Sequence, residues 1–227
     1  MFDHFFGYEA KRRKLLATVK HSALKHYLSV PLPATKSPIA DVNLLSLDFE
    51  TTGLDARNDA LLSIGYVDVT NLAIPLASSE HILVQPDTTA QQDQVVLHQI
   101  TEQEQASGCS LAEAVEQLLI ALSGKVMLAH YAHIELSFLK QACLKLYGVA
   151  PPFPVIDTLA LAKRRLDKRQ VPYDPSQLRL VALREHYTLP KYYAHNALND
   201  AVATAELFLY ELNHHHQTNA PLKEFLR

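Results

Sequence analysis

The chain has 227 residues, of which 48% are hydrophobic and 20% are charged, a composition typical of a folded globular protein and not of a disordered one. No apolar run approaches the roughly 20 residues that span a bilayer, and the N-terminus places its aromatic residues before its basic ones, the reverse of a secretory signal. The two cysteines form no C-x-x-C pair, which argues against a disulfide framework or a zinc site and predicts a reducing, cytoplasmic location.

The net charge of −3 is distributed unevenly along the chain. Residues 1–40 contain seven Lys and Arg against two Asp and Glu, a balance of +5, and residues 41–227 contain fourteen against twenty-two, a balance of −8. A basic arm can attract phosphate groups, whereas an acidic body can act on nucleic acid only if metal ions mediate the contact. The alternative is that the arm is simply a solvated helix.

The N-terminal part of the chain predicts a helical arm followed by a linker. Apolar residues recur at three- and four-residue steps between residues 8 and 28. Three prolines between residues 31 and 38 then indicate an extended segment. We therefore predict a basic helical arm with a proline-containing linker over residues 1–41, and a main domain over residues 42–227.

The main domain combines strand and helix signals. Three apolar runs with no long helical pattern between them predict an antiparallel meander of strands over residues 42–49, 61–70 and 81–86. Beyond them, strands and helices alternate: helices are predicted over 111–124 (with Ser110 as N-cap and Gly124 beyond the end), 133–148, 158–166, 176–187 and 196–212, and strands over 125–129 and 152–158. The predicted fold class is α/β, with a five-stranded mixed sheet flanked by helices.

Two acids stand one residue apart at the end of the first predicted strand. Asp48 and Glu50, at positions i and i+2, project from the same face of a strand, about 7 Å apart along the chain. Two carboxylates this close repel each other unless a cation lies between them, and Mg²⁺ or Mn²⁺ with oxygen ligands would meet that need. The alternative is a strand end that reaches solvent.

Two further acids and a histidine lie at the starts of predicted helices. Glu135 lies in the first turn of its helix, where an acid also pairs favourably with the helix dipole. Asp200 borders the apolar face of the last long helix, and His195 precedes that helix. A histidine beside a metal cluster can take a proton from water. Considered alone, His195 could equally be a surface loop residue.

Five segments carry a resemblance when they are taken together and in order. They are DFETTGLD (48–55), LHQIT (97–101), AHYAHIELSFL (129–139), VIDTLALAKR (155–164) and HNALND (195–200). This set resembles the DEDDh group of 3′→5′ exonucleases, the DnaQ-like family to which the proofreading epsilon subunit of bacterial DNA polymerase III belongs. The resemblance extends from about Leu44 to Leu212, with the order and spacing of the family motifs.

The resemblance implies a ribonuclease H-like fold and a metal-dependent 3′→5′ exonuclease. Its metal ligands would be Asp48, Glu50, Glu135 and Asp200, holding two divalent cations, Mg²⁺ or Mn²⁺, with His195 as general base. Hydrolysis of the terminal phosphodiester bond, expected in single-stranded DNA, would release nucleoside 5′-monophosphates. The residues implied to contact the terminal nucleotide are Thr51, Thr52, Gly53, Leu54, His98 and His130.

The chain departs from the family pattern at four positions. Glu135 replaces the usual Asp and is one methylene longer, so it can still reach a metal ion from further back. Tyr131 replaces the usual Asn, Ile134 the usual Phe and Gln99 the usual Gly. These changes put the substrate pocket in more doubt than the metal site. Asp157 is expected to be a helix cap or a structural acid.

The same motifs serve DNA exonucleases, RNA-trimming nucleases and hydrolases of small oligonucleotides, and DNA is the expected substrate here. The chain ends 27 residues after Asp200, whereas the polymerase-bound proofreading subunit has a longer C-terminal tail, so association with a polymerase is not expected. Residues 1–40 could bind another protein, hold nucleic acid or pack against the domain, and no membrane association is predicted. A non-catalytic nucleic-acid-binding relative or an unrelated metal phosphoesterase are the alternatives, but no carboxylate is missing.

Overall fold

The computed structural model describes residues 3–85, 107–170 and 172–227. Within them, strands form a single five-stranded sheet: β1 (Leu44–Thr51), β2 (Leu61–Val69), β3 (Glu80–Leu83), β4 (Val126–Ala129) and β5 (Val155–Asp157). The order across the sheet is β3-β2-β1-β4-β5. The β1–β2 and β2–β3 pairs are antiparallel, and the β1–β4 and β4–β5 pairs are parallel. The predicted α/β fold class, an antiparallel meander extended by parallel strands, is confirmed.

The helices cover both faces of this sheet. They are α1 (Asp3–Leu16), α2 (Ser22–Ser29), α3 (Leu111–Ala121), α4 (His133–Tyr147), α5 (Thr158–Lys168), α6 (Leu180–His186) and α7 (Ala197–His214). Leu45, Leu47 and Phe49 of β1 join a core cluster with α2, α3 and α4. Leu44 joins a second cluster with α7. Since successive strand residues point to opposite faces, Asp48 lies on the α7 side of the sheet.

The predicted helix ends agree with the observed capping. The Ser110 side chain accepts a hydrogen bond from the backbone N–H of Glu113, and the Glu113 carboxylate accepts one from the backbone N–H of Ser110. This reciprocal pair satisfies N–H groups that have no partner inside the helix. Gly148 follows α4 with φ of +70°, a conformation that glycine adopts without a Cβ clash. Asp157 caps α5 by accepting from the Ala160 N–H at 3.2 Å.

Two predicted helices are each interrupted. The helical arm predicted over residues 8–28 consists of α1 and α2, separated by a turn after Leu16. The helix predicted over residues 176–187 is a short 3-10 turn followed by α6, because Arg179 between them has extended backbone angles (φ −65°, ψ 145°). Apolar spacing is similar in both cases to that of a continuous helix, so the pattern alone did not reveal the breaks.

The N-terminal helices pack against α3 and join the hydrophobic core on that side of the sheet. Four residues of α2 are buried, and Leu24, Tyr27 and Leu28 belong to the same core cluster as β1. The Tyr27 hydroxyl donates to the backbone carbonyl of Pro152 at 2.6 Å. Arg12 of α1 is buried and donates to the carbonyl of Leu28. The division of the chain into an arm over residues 1–41 and a domain over residues 42–227 stays a prediction.

None of the helices within the described ranges is both long and apolar enough to cross a membrane. The cytoplasmic location inferred from the cysteines stays a prediction.

Candidate active site

Three of the four predicted metal ligands meet at the carboxyl end of β1. Carboxylate oxygens of Asp48, Glu50 and Asp200 lie within 4.8 Å of one another. Asp48 and Glu50 come from one strand and are brought to the same face by its two-residue repeat. Asp200 comes from the first turn of α7, about 150 residues later in the chain. The structure therefore brings together acids that the sequence presents far apart.

A glycine of β2 lets α7 approach this strand end. Gly65 is the β2 partner of Asp48. A Cβ atom at Gly65 would lie 2.1 Å from both the backbone carbon of Ala197 and the backbone nitrogen of Leu198, so only glycine permits the contact. The Ser46 hydroxyl also donates to the Ala201 carbonyl at 2.6 Å. Gly65 was not among the site residues predicted from the sequence, although a glycine inside a strand often marks a close backbone approach.

The loop before α7 presents His195 beside Asp200. His195 has φ of +66°, and its backbone N–H donates to Oδ2 of Asp200 at 3.0 Å. The side chain of Asn196 caps the helix by accepting from the backbone N–H of Asn199. The exposed imidazole of His195 is close enough to favour the ionised form of Asp200. The predicted base therefore lies at the edge of the acid cluster, open to solvent.

The fourth predicted ligand, Glu135, lies beside this group without being part of it. It is 3% exposed, and its Oε2 atom has no hydrogen-bond partner among the described residues. Burial raises the pKa of the Glu135 carboxyl, and the charges of Asp157 and Glu50 raise it further. The backbone N–H groups of Glu135 and Phe49 act in the opposite direction. A buried carboxylate with an unpaired oxygen next to three other acids is an arrangement that a cation would stabilise.

The pKa values of the other three acids, Asp48, Glu50 and Asp200, are also raised. Burial, then the charges of Glu135, Asp200 and Glu50, raise the pKa of Asp48 well above its usual range. Burial and the charge of Asp200 raise the pKa of Glu50 to about 7. Burial raises the pKa of Asp200, although the nearby Tyr192 hydroxyl and the backbone N–H of His195 oppose this shift. Without a counter-charge, each of these carboxyl groups holds its proton to a higher pH than it would in water, because it is buried and because its ionised neighbours repel it.

The Thr-Thr-Gly turn after β1 is held together by its own side chains. The Thr51 hydroxyl donates to the Gly53 carbonyl at 2.7 Å, and the Thr52 hydroxyl accepts from the Ala60 N–H at 2.8 Å. A Cβ atom at Gly53 would lie 2.4 Å from the Asp59 carboxylate. Leu54 at the tip is 75% exposed. The threonine hydroxyls therefore shape the turn, and the Leu54 side chain is the apolar group that projects from it.

The two predicted histidine contacts differ in what the structure describes. His98 lies outside the described residues, as does the rest of the 97–101 segment. His130 bonds through both ring nitrogens, to the Thr158 hydroxyl at 2.8 Å and to the Leu178 carbonyl at 2.9 Å. Burial lowers the pKa of His130 to about 4. The neutral imidazole of His130, with a hydrogen bond at each ring nitrogen, connects β4 to α5 and to the 3-10 turn at Leu178. A contact between His130 and the nucleotide stays a prediction.

Tyr131, which stands where the family usually has Asn, has a left-handed backbone conformation. Tyr131 has φ of +66°, a conformation that Asn adopts more readily than Tyr. Its backbone N–H donates to Oδ1 of Asp157 at 3.1 Å, which fixes the turn between β4 and α4. Asp157 also pairs with Arg227 at 3.2 Å. Asp157 is thus a structural acid with three partners, as the sequence analysis expected.

Comparison with known proteins identifies the family. Residues 45–208 match the family model RNase_T, described as "Exonuclease". The chain belongs to this exonuclease family. The match includes Asp48, Glu50, Glu135, His195 and Asp200, and it confirms the resemblance recognised in the sequence.

Two relatives of this chain are named as DNA polymerase III proteins. A PolC-type DNA polymerase III of Thermotoga maritima is 32% identical over 173 residues, which make up 76% of this chain and 12% of that protein. The DNA polymerase III subunit epsilon of Treponema pallidum is 30% identical over 179 residues, which make up 78% of this chain and 80% of that protein. The exonuclease thus spans only a small part of the PolC-type relative and most of the epsilon subunit.

Solved structures share the fold of this exonuclease. Exonuclease X, solved in complex with 5′-overhanging duplex DNA, aligns with a TM-score of 0.60 and 24% identity over 80% of this chain and 98% of that chain. This likeness confirms the ribonuclease H-like arrangement of sheet and helices.

The residues of the exonuclease site fit divalent cations. All four are carboxylates, the ligand type that Mg²⁺ and Mn²⁺ prefer. Three converge within 4.8 Å, and the fourth has a buried oxygen with no partner in the described part of the chain. Burial and neighbouring negative charges raise the pKa of Asp48, Glu50 and Glu135, and a cation among them would offset both effects.

Proposed function

We propose that this exonuclease hydrolyses the terminal phosphodiester bond at the 3′ end of single-stranded DNA and releases nucleoside 5′-monophosphates. The observation that carries the proposal is the convergence of Asp48, Glu50 and Asp200 within 4.8 Å at the carboxyl end of β1. Such a cluster would be stabilised by cations, and the chain belongs to an exonuclease family, which supports the proposal. An acidic site can accept a phosphodiester only when cations offset the repulsion between them.

Asp48, Glu50, Glu135 and Asp200 would hold two divalent cations. Bound there, the cations would lower the pKa of the attacking water and neutralise charge on the phosphate. The unpaired Oε2 of Glu135 supports its role as the fourth ligand, and the longer side chain suits a carboxylate set back from the other three. The buried environment strengthens the interaction of these carboxylates with any cation between them.

His195 would act as the general base. Its imidazole is exposed, so it can accept a proton from the attacking water and pass that proton to solvent. Its backbone is fixed by the N–H bond to Asp200, which ties the base to a metal ligand. The Thr51–Leu54 turn would hold the terminal nucleotide, with Leu54 against the base and backbone N–H groups near the 3′-hydroxyl.

The names of the relatives and the exposed lysines of the N-terminal helices support DNA as the substrate. The relatives at 30% identity or more are named as DNA polymerase III proteins, which favours DNA over RNA. The exposed lysines of the N-terminal helices and the turn between them would contact phosphates upstream of the 3′ end; they are Lys11, Lys14, Lys20 and Lys25. A protein partner bound by residues 1–40 is the competing role for the arm, and association with a polymerase is not part of the proposal.

The test uses single-stranded DNA and RNA oligonucleotides labelled at the 5′ or the 3′ end, with Mg²⁺, with Mn²⁺ or with EDTA. The expected result is stepwise shortening from the 3′ end of DNA, with 5′-mononucleotide products and no reaction in EDTA. Faster cleavage of RNA would overturn the DNA assignment. Shortening from the 5′ end, or activity that survives EDTA, would overturn the mechanism.

Matched variants connect the activity to the carboxylate cluster. Asp200→Asn removes one charge from the cluster with little change in shape and should abolish turnover. Asp41→Asn makes the same exchange at an exposed acid before β1 and should leave turnover unchanged. Undiminished activity in Asp200→Asn would show that the reaction takes place elsewhere.

A further inference from the structure

Tyr131 combines a fixed backbone with an aromatic ring that reaches solvent. The residue is 47% exposed, and its φ of +66° is one that a bulky side chain adopts only where the surroundings impose it. Its backbone N–H donates to the buried Asp157 carboxylate at 3.1 Å, and its carbonyl accepts from the Ile134 N–H at 3.3 Å. These two bonds hold the position from which the ring projects.

Tyr131 lies at the same edge of the sheet as the acid cluster. The parallel register pairs Ser46 of β1 with Leu128 of β4. Asp48 comes two residues after Ser46, and Tyr131 comes three residues after Leu128, at the carboxyl ends of neighbouring strands that lie about 4.8 Å apart. Helix α4 begins two residues after Tyr131 and carries Glu135 in its first turn. Tyr131 therefore stands between two elements that supply the proposed metal ligands.

Leu54 and Tyr131 lie on opposite sides of the strand that carries the acids. Leu54 is 75% exposed and belongs to the turn that connects β1 to β2. Tyr131 follows β4, which is the neighbour of β1 on the other side in the strand order β3-β2-β1-β4-β5. The proposed function puts the cleaved bond at the acid cluster and the terminal base against Leu54. The nucleotide on the upstream side of that bond is therefore expected on the side of Tyr131.

We propose that the ring of Tyr131 stacks on the nucleobase that precedes the terminal nucleotide of single-stranded DNA. The inference rests on the proposed function, because it assigns a contact to the substrate of that function. Base–aromatic stacking needs a flat apolar face that is open to solvent, and every base has a matching face. The contact would therefore add affinity without selecting a sequence.

The surroundings of Tyr131 prepare its ring for such a contact. The ring of His133 lies 6.0 Å from it, centroid to centroid, with an angle of 52° between the ring planes. A ring that already has a neighbour and a fixed backbone loses less freedom when a base is bound. The Asn that the family usually has here would suit the left-handed backbone better but would offer no stacking surface.

The test measures binding of single-stranded DNA, labelled with a fluorophore at its 5′ end, by fluorescence anisotropy. Ca²⁺ replaces Mn²⁺ so that the strand is bound without being shortened, and electrophoresis checks its length afterwards. Tyr131→Asn should weaken binding by about 10-fold, the typical effect of one lost base–aromatic stack. Tyr131→Phe keeps the ring and should bind as the wild type does. An equal loss in both variants would assign the effect to the hydroxyl and overturn the inference.

Leu72→Asn is the matched control, because Leu72 is also left-handed (φ of +57°) and is 37% exposed. It follows the end of β2, where Val69 pairs with Leu44 at the start of β1, so it lies at the edge of the sheet opposite the acids. The same exchange is thus made in a similar backbone conformation away from the site. Leu72→Asn should bind DNA as the wild type does, and a similar loss of affinity in both Asn variants would overturn the inference.

Oligonucleotides that lack a single base test the contact on the wild-type protein, whatever the stability of the variants. Removal of the base before the terminal nucleotide should weaken binding to the wild type by about 10-fold. The same removal should have little effect on Tyr131→Asn, because two changes that abolish one contact are not additive. Wild-type affinity that is equal for the complete and the abasic strand would contradict stacking at this position.

The outcomes separate this inference from the exonuclease proposal. A wild type that shortens DNA from the 3′ end, together with equal binding by the wild type and Tyr131→Asn, would overturn only the role of Tyr131. A wild type that neither binds nor shortens single-stranded DNA would overturn both.

Discussion

Replacement of Glu50 by Gln is expected to stabilise the metal-free protein, and increasingly so as the pH rises. Glu50 is 6% exposed and lies beside the carboxylate of Asp200. Its ionised form is therefore disfavoured both by burial and by a neighbouring negative charge. Gln has nearly the same shape and no charge, so the substitution removes the source of this penalty.

The magnitude follows from the pKa of Glu50, which is about 7 in the folded protein against an ordinary value of 4.5. Because the folded state holds the proton more tightly than the unfolded state, this contribution to stability is fully present below about pH 4.5 and is lost as the pH rises through 7. At about 1.4 kcal/mol per pKa unit, the free energy of unfolding of the wild type should fall by about 2–3 kcal/mol relative to Glu50→Gln between pH 5 and pH 8.

The assay is urea unfolding in EDTA at pH 5, 6, 7 and 8, followed by circular dichroism because the chain contains no tryptophan. The difference between variant and wild type cancels the titration of groups that do not interact with Glu50, whereas the pKa values of Asp48 and Glu135, which the charge of Glu50 raises, fall in the variant and add to the difference in the same direction. If the amide itself changes the free energy of unfolding, it does so by the same amount at all four pH values. The prediction therefore concerns only how the difference in free energy of unfolding between the variant and the wild type changes with pH. Glu185→Gln, at an exposed acid on α6, is the control and should give a flat difference.

A difference between wild type and Glu50→Gln that is the same at pH 5 and pH 8 would refute this account of the cluster. Addition of Mn²⁺ at pH 8 provides an independent check. The cation should stabilise the wild type, since binding to the folded state alone raises its stability. It should stabilise Glu50→Gln less, because that variant lacks one of the proposed ligands.

Three further predictions concern activity. Gly65→Ala should lower kcat by about 100-fold, because the new methyl group displaces the start of α7 and hence Asp200; circular dichroism would confirm that the fold is retained, and wild-type kcat would contradict the close approach. His195→Asn, a replacement that tolerates the positive φ of this position, should lower kcat by about 10²–10⁴-fold with unchanged Mn²⁺ affinity; wild-type kcat at neutral pH would exclude His195 as the base. Joint replacement of Lys11, Lys14, Lys20 and Lys25 by Gln should reduce the salt dependence of binding to a long oligonucleotide by about 0.7 per lost phosphate contact and should not change dinucleotide hydrolysis; an unchanged salt dependence would exclude the arm from the DNA interface.

Several features of this protein could be predicted from its sequence because they depend on residues close together in the chain. The two-residue spacing of Asp48 and Glu50 places both on one face of any strand. The Ser110 and Asp157 caps depend on hydrogen bonds that span three residues. The order of strands and helices follows from local apolar patterns, and five short motifs between residues 48 and 200 carry the family resemblance.

Other features were decided only by contacts between distant segments. Gly65 matters because the start of α7 packs against it, and α2 is buried because α3 and the core cluster beside it offer an apolar surface. The two bonds that occupy the ring of His130 come from α5 and from the 3-10 turn near Leu178.

Asp200 depends both on a local sequence motif and on contacts between distant segments. The family motif predicts it as a metal ligand, but the sequence could not show that its carboxylate would lie within 4.8 Å of those of Asp48 and Glu50 or that the His195 backbone N–H would donate to it. Local spacing determines which residues share a face of one element. The distances between elements depend on how their side chains pack, and these contacts exist only in the folded chain.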